Sequence, residues 1–346
     1  MSKILLFNLL FASCLILFIY FLINKKTIFF FKYLIYFLEK SNYFFSYKIY
    51  SKYLYVNSKV SYSSNKFAII VQGPSFDNSY DFTSETLRYY SKKFPNSIII
   101  FSSWEKDINQ IKCQLFKKNV HFLRNKLPNY PGSLNINLQA ISSRNAILYA
   151  KKLGCRYALK TRSDLRIYSE DFQKYLFDLI NFYKLKKNLI SKQKARIIST
   201  SFTLRYRIYG LADLCLFGHV DDLYKYFNIN TNKALERKFQ LLLTKKKEID
   251  DNLYYKENSF CPEIYFFCNY FNKLNIKLKW TAVDYLKKLS ENFIIIDNRS
   301  LNIYWKKSNK VDNHFNKDID VNIKSAEFYF SDRLNIFYKF NNIKKL

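Results

Sequence analysis

The hydrophobic pattern in the central part of the chain predicts alternating strands and helices. Four short apolar runs have the length of buried strands, at 67–71, 98–101, 120–123 and 157–159. The stretches between them carry apolar residues at helical spacing. The longest of these helices ends at Gly154, a residue that readily adopts the left-handed conformation that closes a helix. This alternation predicts a right-handed, mostly parallel α/β arrangement over residues 67–168.

The pattern changes beyond residue 168. It predicts, in order, a helix to about residue 188, strands at 197–204 and 211–217, helices that begin at Asp221 and Pro262, and a strand at 293–296. Asp213 falls inside one of these apolar strands, where a carboxylate is costly unless it is paired. It therefore belongs either to a buried ion pair or to a functional site. The tail at 301–346 predicts no particular element.

The N-terminal stretch is apolar from Ile4 to Ile23, which is long enough to cross a bilayer as one helix. A cleaved signal peptide would have a shorter apolar region and a small-residue cleavage signature, so an uncleaved anchor over 1–24 is favoured. More lysines follow this run than precede it. The positive-inside rule then predicts a single-pass protein of the inner (cytoplasmic) membrane, with its domain on the cytoplasmic side. Residues 25–66 form an aromatic and basic juxtamembrane segment and linker, which either lies at headgroup level or packs on the domain.

Composition adds a strong positive charge to this picture. The 346 residues carry 57 Lys and Arg against 27 Asp and Glu, a formal net charge of +30. That charge suits anionic partners. The basic residues are scattered, however, and the abundance of Lys, Asn and Ile with only five Gly and five Pro is a general compositional bias. Nucleic acid is therefore not predicted as a partner.

Several classes of site are disfavoured by the motifs. The six cysteines form no CxxC pair and the three histidines are far apart, so a zinc site is not expected. The chain has no GxxxxGK[ST], no GxGxxG and no GxSxG motif. These absences disfavour a P-loop NTPase, a dinucleotide enzyme and an α/β-hydrolase.

Candidate chemistry lies where predicted strands end, because ligands of open α/β sheets bind at the carboxyl ends of the strands. The residues at these ends are Gln72, Gly73 and Pro74 after the first strand, Trp104 and Glu105 after the second, and Lys160, Arg162, Ser163, Asp164 and Arg166 after the fourth. Gly73 would let the backbone approach a ligand closely. Glu263 follows Pro262 at a predicted helix start, where it serves either the helix dipole or catalysis.

This layout resembles that of GT-A glycosyltransferases, in which an Arg-Asn helix, a Gly and a strand ending in an acidic DxD-like element occur in this order. The matching residues are Arg144, Asn145, Gly154 and the triplet Arg162-Ser163-Asp164. More closely, four motifs resemble the WavE lipopolysaccharide-synthesis family of bacterial glycosyltransferases, over roughly residues 67–300. They are V-Q-G-P at 71–74, K-T-R-S-D-L-R at 160–166, D-L-C-L-F-G at 213–218 and P-E at 262–263.

The resemblance implies a GT-A-like (Rossmann-like) catalytic domain over 67–300, with a nucleotide-binding half at 67–168 and an acceptor half at 169–300. It implies that Glu263 and Asp164 are catalytic. It implies donor contacts from Gln72, Gly73, Pro74, Trp104, Glu105, Arg144, Lys160, Arg162 and Arg166.

One departure from the pattern concerns the metal. Arg162 stands where a metal-binding DxD would have its first carboxylate. Two roles therefore stay open at this strand end. Asp164 would hold a divalent cation, Mg²⁺ or Mn²⁺, on the donor diphosphate, or the basic residues Lys160, Arg162 and Arg166 would stabilise that diphosphate directly.

Two functional hypotheses follow. The first is a membrane-anchored glycosyltransferase that transfers a sugar from a nucleotide-sugar to a lipopolysaccharide, lipooligosaccharide or other cell-surface glycan acceptor. The alternative is a non-enzymatic basic membrane protein that binds an anionic polymer, with an affinity that collapses in salt. Base-selective binding of nucleoside diphosphates would distinguish the enzyme from the polymer binder.

Overall fold

A computed structural model gives the fold. It describes residues 66–76, 82–111, 113–185, 192–201, 203, 208–231, 261–306 and 330–341. The predicted anchor at 1–24 and the juxtamembrane residues 25–65 lie outside these ranges. Within the described ranges, no helix is both long enough and apolar enough to cross a bilayer.

The described strands form one mostly parallel sheet of seven strands and one small antiparallel pair. In chain order they are β1 (Phe67–Gln72), β2 (Ile98–Trp104), β3 (Val120–Asn125), β4 (Tyr157–Arg162), β5 (Leu165–Ile167), β6 (Ile197–Thr200), β7 (Leu216–His219), β8 (Phe293–Ile296) and β9 (Ile303–Trp305). The large sheet has the order β3-β2-β1-β4-β7-β6-β8, and β5 pairs with β9. In the large sheet β7 runs antiparallel to both of its neighbours, whereas the other pairs are parallel.

Helices cover both faces of the large sheet. They are α1 (Phe82–Lys93), α2 (Glu105–Asn109), α3 (Ile136–Lys152), α4 (Phe172–Phe182), α5 (Val220–Phe227), α6 (Pro262–Lys273), α7 (Ala282–Asn292) and α8 (Phe330–Asn341). One core contains α3, α5, α6 and α7, and the other contains α1, α2, α4 and α8. Alternate residues of β1 enter opposite cores, which is why the strand reads as a continuous apolar run.

The structure confirms the predicted α/β alternation and shows where the pattern misjudged lengths. The strand β8 and the start of α6 at Pro262 lie where predicted, and Gly154 closes α3 with φ of +83°. The strands β2, β3 and β4 run two or three residues past their predicted ends. Residues with polar side chains, such as Ser102, continue the main-chain hydrogen-bond ladder there. Strands from both predicted halves share the large sheet.

Three features of the second half differ from the predictions. The strand β6 ends at Thr200 and β7 begins only at Leu216, so Asp213 lies in an irregular segment before β7 and not within a strand. The predicted helix to about residue 188 ends at Phe182. The tail, which predicted no element, contributes β9 and α8 to the fold.

The helix α3 packs closely on the sheet through small residues. Ala140, Ala146 and Ala150 are fully buried, whereas the larger Ile141 and Leu148 of the predicted apolar faces are only half-buried. Small side chains let the helix axis approach the strands, and the Ser102 hydroxyl donates to a main-chain carbonyl of α3 at 2.8 Å. The sheet ends near α3 are therefore held by hydrogen bonds as well as by apolar contact.

A buried carboxylate ties α5 to the segment before β6. The Oδ2 atom of Asp222 accepts hydrogen bonds from the main-chain N–H groups of Lys194 and Ala195, both at 2.9 Å. Asp222 is fully buried, and burial raises its pKa to about 6 in spite of these bonds. The carboxylate form is thus less favourable in the folded protein than in the unfolded chain.

We expect Asp222→Asn to change how stability depends on pH. Because the folded pKa lies about two units above the unfolded value, wild-type stability should fall as pH rises from about 4 to about 6, by up to about 3 kcal/mol. The amide oxygen of Asn still accepts both N–H bonds but does not titrate, so this loss should disappear. Urea unfolding at several pH values measures it, with the exposed Asp178→Asn as control. If the stability of Asp222→Asn fell with pH as steeply as that of wild type, the raised pKa of Asp222 would not be the cause of the loss.

Candidate functional site

The strand order reverses between β1 and β4, and the predicted motifs meet there. The strands β2 and β3 lie on one side of β1, and β4 lies on the other. Gln72 at the end of β1 is in register with Arg162 at the end of β4, and the N–H of Ser163 donates to the Gln72 carbonyl at 2.9 Å. In open α/β sheets, ligands bind in the crevice at this kind of reversal. The two motifs therefore lie side by side at this reversal.

Gly73 lets the two chain segments approach each other. Its φ is +125°, and an added Cβ atom would lie 2.7 Å from the Ser163 hydroxyl. Its N–H donates to the carbonyl of Ser102 at 3.2 Å, so the turn is also tied to β2. Gly73 is buried and the following Pro74 is exposed. The chain thus turns from the sheet to the surface at the point where a ligand would lie.

We expect Gly73→Ala to destabilise the folded protein by about 1–3 kcal/mol, because it adds both backbone strain and a contact with Ser163. A second variant separates the two causes. Gly73→Ala combined with Ser163→Ala removes the hydroxyl at 2.7 Å but leaves the positive φ. Chemical unfolding of the two variants and of Ser163→Ala alone should show partial recovery in the double variant. A Gly73→Ala protein as stable as wild type would show that the turn adopts another conformation.

Arg162 and Asp164 form an internal ion pair at the end of β4. The guanidinium donates through Nε to Oδ1 at 2.8 Å and through Nη2 to Oδ2 at 2.9 Å. The indole of Trp305 in β9 donates to the same Oδ2 at 3.0 Å. Burial alone would raise the pKa of Asp164, but the hydrogen bonds from Arg162 and Trp305 outweigh burial and lower it. Asp164 is thus a buried, ionised acceptor.

This pairing bears on the predicted metal ligand. Both carboxylate oxygens of Asp164 already accept hydrogen bonds, and only 1% of its side chain is exposed. A divalent cation would reach it only by displacing Arg162. In the described part of the chain, no group of three or more His, Cys, Asp or Glu residues is arranged to hold a metal. As placed, Asp164 does not fit a metal ligand, and the role of a cation in the reaction stays a prediction.

Two of the predicted basic residues lie inside the protein and not at the strand edge. Lys160 belongs to β4 and is fully buried, and its Nζ donates to the carbonyl of Asp213 at 2.7 Å. Burial lowers its pKa to about 8. Arg166 in β5 donates to Thr86 Oγ1 at 2.9 Å and to the Phe82 carbonyl at 3.1 Å, so it fastens α1. Arg162 is the one of these three side chains that is partly exposed at the edge, at 28%.

Glu263 interacts electrostatically with the charged residue at the end of β4. It occupies the first turn of α6, is half-buried, and accepts a hydrogen bond from the thiol of Cys261. It interacts electrostatically with both Arg162 and Asp213. In the sequence Glu263 lies 97 residues beyond Arg166, the last residue of the motif at the end of β4, and the fold brings α6 into electrostatic range of Arg162. A carboxylate thus lies within electrostatic range of the partly exposed Arg162.

Asp213 extends this cluster into the interior. It is buried, and the side-chain amide of Gln139 in α3 donates to its Oδ2. Burial raises the pKa of Asp213, the ammonium of Lys160 opposes this rise, and the carboxylate of Glu263 adds to it. The carboxylate of Asp213 thus interacts electrostatically with both Lys160 and Glu263, and both alternatives for its role stay open.

The other predicted donor contacts lie around the neighbouring strand ends. Trp104 is the last residue of β2 and is largely buried, and Glu105 begins α2 and is exposed. Arg144 is half-buried in α3. The adjacent Asn145 donates to the Asn125 side chain at the end of β3 at 3.0 Å. Their contacts with a donor stay predictions.

Sequence reasoning missed Trp305. This residue lies in the tail that predicted no element, yet β9 pairs with β5 and brings its indole to Asp164. The main-chain N–H of Lys306 also donates to the Asp164 carbonyl, at 2.8 Å. The residues of Ile303–Trp305 favour β-structure, so the sequence contained a signal for a strand there. It contained no signal for the strand with which this one pairs.

No protein-family model and no curated protein matches the chain. A cytidylyltransferase from Leptospira borgpetersenii serovar Hardjo-bovis has 12% identity and a TM-score of 0.31 over 53% of this chain and 73% of its own. The 4-diphosphocytidyl-2C-methyl-D-erythritol synthase from Anaerococcus prevotii has 11% identity and a TM-score of 0.36 over 70% and 91%. Another 4-diphosphocytidyl-2C-methyl-D-erythritol synthase has 11% identity and a TM-score of 0.31 over 51% and 85%.

Proposed function

We propose that this protein is a glycosyltransferase that transfers a sugar from a nucleotide-sugar donor to a glycan acceptor. The observation that carries the proposal is the crevice at the strand-order reversal. There the close turn at Gly73 and the partly exposed Arg162 lie at adjoining strand ends, and Glu263 lies within electrostatic range of Arg162. A diphosphate leaving group requires a close approach of the backbone and a nearby cation. An acceptor hydroxyl requires a carboxylate that can take its proton.

The chemistry assigns one task to each charged residue. In an inverting transfer, the carboxylate of Glu263 takes the proton of the acceptor hydroxyl. The acceptor oxygen then forms a bond to the anomeric carbon as the bond from that carbon to the diphosphate oxygen breaks. Arg162 stabilises the negative charge that develops on the departing diphosphate. Two of its N–H groups are held by Asp164, and this fixes the direction of the guanidinium.

The acceptor and the place of action belong to the same proposal. The apolar run from Ile4 to Ile23 supports an anchor in the inner membrane, with the catalytic domain on the cytoplasmic side, where nucleotide-sugars are found. The motif resemblance to the WavE family supports a lipopolysaccharide, lipooligosaccharide or other cell-surface glycan as acceptor. A GT-A-like fold is proposed on the same resemblance, and the mostly parallel sheet with helices on both faces is consistent with it.

A donor screen tests the proposal. The full chain is incubated with a panel of nucleotide-sugars and an extract of membrane glycolipids, and release of nucleoside diphosphate is followed. We expect one base and one sugar to be preferred, and the matching nucleoside diphosphate to bind and inhibit. Salt-sensitive binding of anionic polymers, without any base-selective nucleotide binding, would favour the non-enzymatic alternative.

We expect diphosphate release to survive chelation. The carboxylate of Asp164 is engaged by Arg162, so the guanidinium takes over part of the charge that a divalent cation would neutralise. The measurement is the rate of release with EDTA and with added Mg²⁺ or Mn²⁺, for wild type and for Arg162→Lys. Activity that vanishes with EDTA and returns fully with Mn²⁺ or Mg²⁺ would assign an ordinary metal-dependent mechanism instead.

A further inference from the structure

Two arginines are buried in an aromatic cluster near β8, the edge strand of the large sheet. Arg196, just before β6, and Arg333 in α8 are each 2% exposed. The guanidinium carbon of Arg333 lies 3.7 Å from the ring centroid of Tyr183 and 4.8 Å from that of Phe337. The guanidinium carbon of Arg196 lies 5.1 Å from the same Phe337 centroid. We call these four residues the two-arginine cluster.

The hydrogen-bonding capacity of the two-arginine cluster is largely unmet. All three guanidinium nitrogens of Arg333, and Nε of Arg196, are buried and have no partner at full hydrogen-bond geometry, although the side chain of Tyr183 interacts electrostatically with Arg333. The Nη1 of Arg196 donates to the carbonyl of Ser290 in α7. Within the described residues, neither guanidinium has a carboxylate at ion-pair distance. Glu291 interacts electrostatically with Arg196, but its Oε1 atom lies 3.9 Å from Nζ of Lys287, with which it forms an ion pair.

Such a pair is costly without a counter-ion. The pKa of each arginine falls to about 10, because burial lowers both values and the charge of Arg333 contributes to the lowering at Arg196. Arginine nevertheless remains protonated at neutral pH. Two buried positive charges that share one aromatic ring, with four unsatisfied nitrogens, disfavour the folded state unless an anion joins them.

We propose that the two-arginine cluster is a binding site for a small oxyanion of the phosphate class. A guanidinium presents a planar fork that matches the oxygens of phosphate, and a doubly charged phosphate neutralises both arginines, which a single carboxylate would not. Rings at Tyr183 and Phe337 shield the site from water, which strengthens each charge-assisted bond. The anion would fasten α8 to α7 and to the segment before β6. The proposal does not depend on the transferase activity.

Phosphate-dependent stability of the full chain tests this inference. Thermal unfolding is followed in sodium phosphate and in sodium chloride of equal ionic strength. For wild type we expect phosphate to raise the unfolding temperature by roughly 3 °C or more and the rise to saturate with concentration. Arg333→Lys keeps a charge but loses the fork, so this rise should be abolished or strongly reduced. Arg299→Lys, on an exposed arginine near β8, should keep it.

Two results would overturn the proposal. The first is a wild-type protein that responds equally to phosphate and chloride, which would mean that no phosphate site of this kind exists. The second is a saturable rise that both Arg333→Lys and Arg196→Lys retain, which would locate the anion elsewhere, such as at Arg162. If Arg333→Lys does not fold, Arg196→Lys and the wild-type titration decide between these outcomes. A failed donor screen would leave the phosphate response unchanged, so the two proposals fail independently.

Discussion

Replacing Glu263 with Gln is expected to lower the rate of diphosphate release by about 10²–10⁴-fold, the usual contribution of a general base. Gln has nearly the same shape and can still accept a bond from Cys261, but it cannot take a proton from the acceptor hydroxyl. Because the base acts on the acceptor and not on the donor, the affinity for the nucleoside diphosphate should stay near that of wild type. The unfolding temperature should change by no more than a few degrees, since Glu263 is only half-buried.

The matched control is Glu85→Gln. Glu85 also lies in the first turn of a helix, α1, and is 41% exposed in a pair with Arg88. It shares the helix-dipole contribution of Glu263 but has no place in the crevice. We expect Glu85→Gln to retain full turnover. Full turnover in Glu263→Gln would remove this acid from the reaction, and failure of Glu263→Gln to fold would assign it to the start of α6.

The fold was predictable from the sequence to the extent that apolar periodicity carries it. A strand whose two faces are both buried reads as an apolar run, so β1 and β8 appear at nearly their observed residues. The pattern fails where a polar residue continues a strand. The pattern places Lys160 just past the end of a strand, yet it is fully buried within β4, where its ammonium donates a hydrogen bond to the Asp213 carbonyl. A tertiary hydrogen bond of this kind leaves no mark on local periodicity.

The sequence predicted which residues lie at the candidate site better than it predicted what each of them contacts. The rule that parallel strands end at one edge brings Gly73 and Arg162 together without any knowledge of side-chain contacts. The partner of Asp164 could not be found this way. Trp305 reaches it from 141 residues away through a three-residue strand that pairs with β5. Pairing between distant short strands depends on the whole fold, so the hydrogen bond from Trp305 to Asp164 could not be predicted from the sequence around either residue.

Arg162→Met is expected to destabilise the folded protein by about 3–5 kcal/mol, the range for removing one partner of a buried pair. The loss is large because the side chain of Asp164 is only 1% exposed and would keep its charge with one remaining side-chain donor, Trp305. Arg88→Met is the control. It breaks an arginine–carboxylate pair that has a single contact of 2.6 Å, with side chains 43% and 41% exposed, for which we expect a cost of under about 1 kcal/mol. Urea unfolding at neutral pH measures both.

A double-mutant cycle and its pH dependence identify the cause. Arg162→Met combined with Asp164→Asn leaves no unpaired carboxylate at position 164, so the double variant should be more stable than Arg162→Met alone by roughly 1–3 kcal/mol. In wild type the pKa of Asp164 lies below its ordinary value, so the pair stabilises the protein above about pH 4, and this contribution is lost as pH falls further. Without Arg162, burial would instead raise that pKa, and stability would fall as pH rises above about 4. The difference in the free energy of unfolding between wild type and Arg162→Met should therefore become smaller at acidic pH. A difference in unfolding free energy that stays constant with pH, together with additive effects of Arg162→Met and Asp164→Asn, would show that Arg162 contributes packing and not charge.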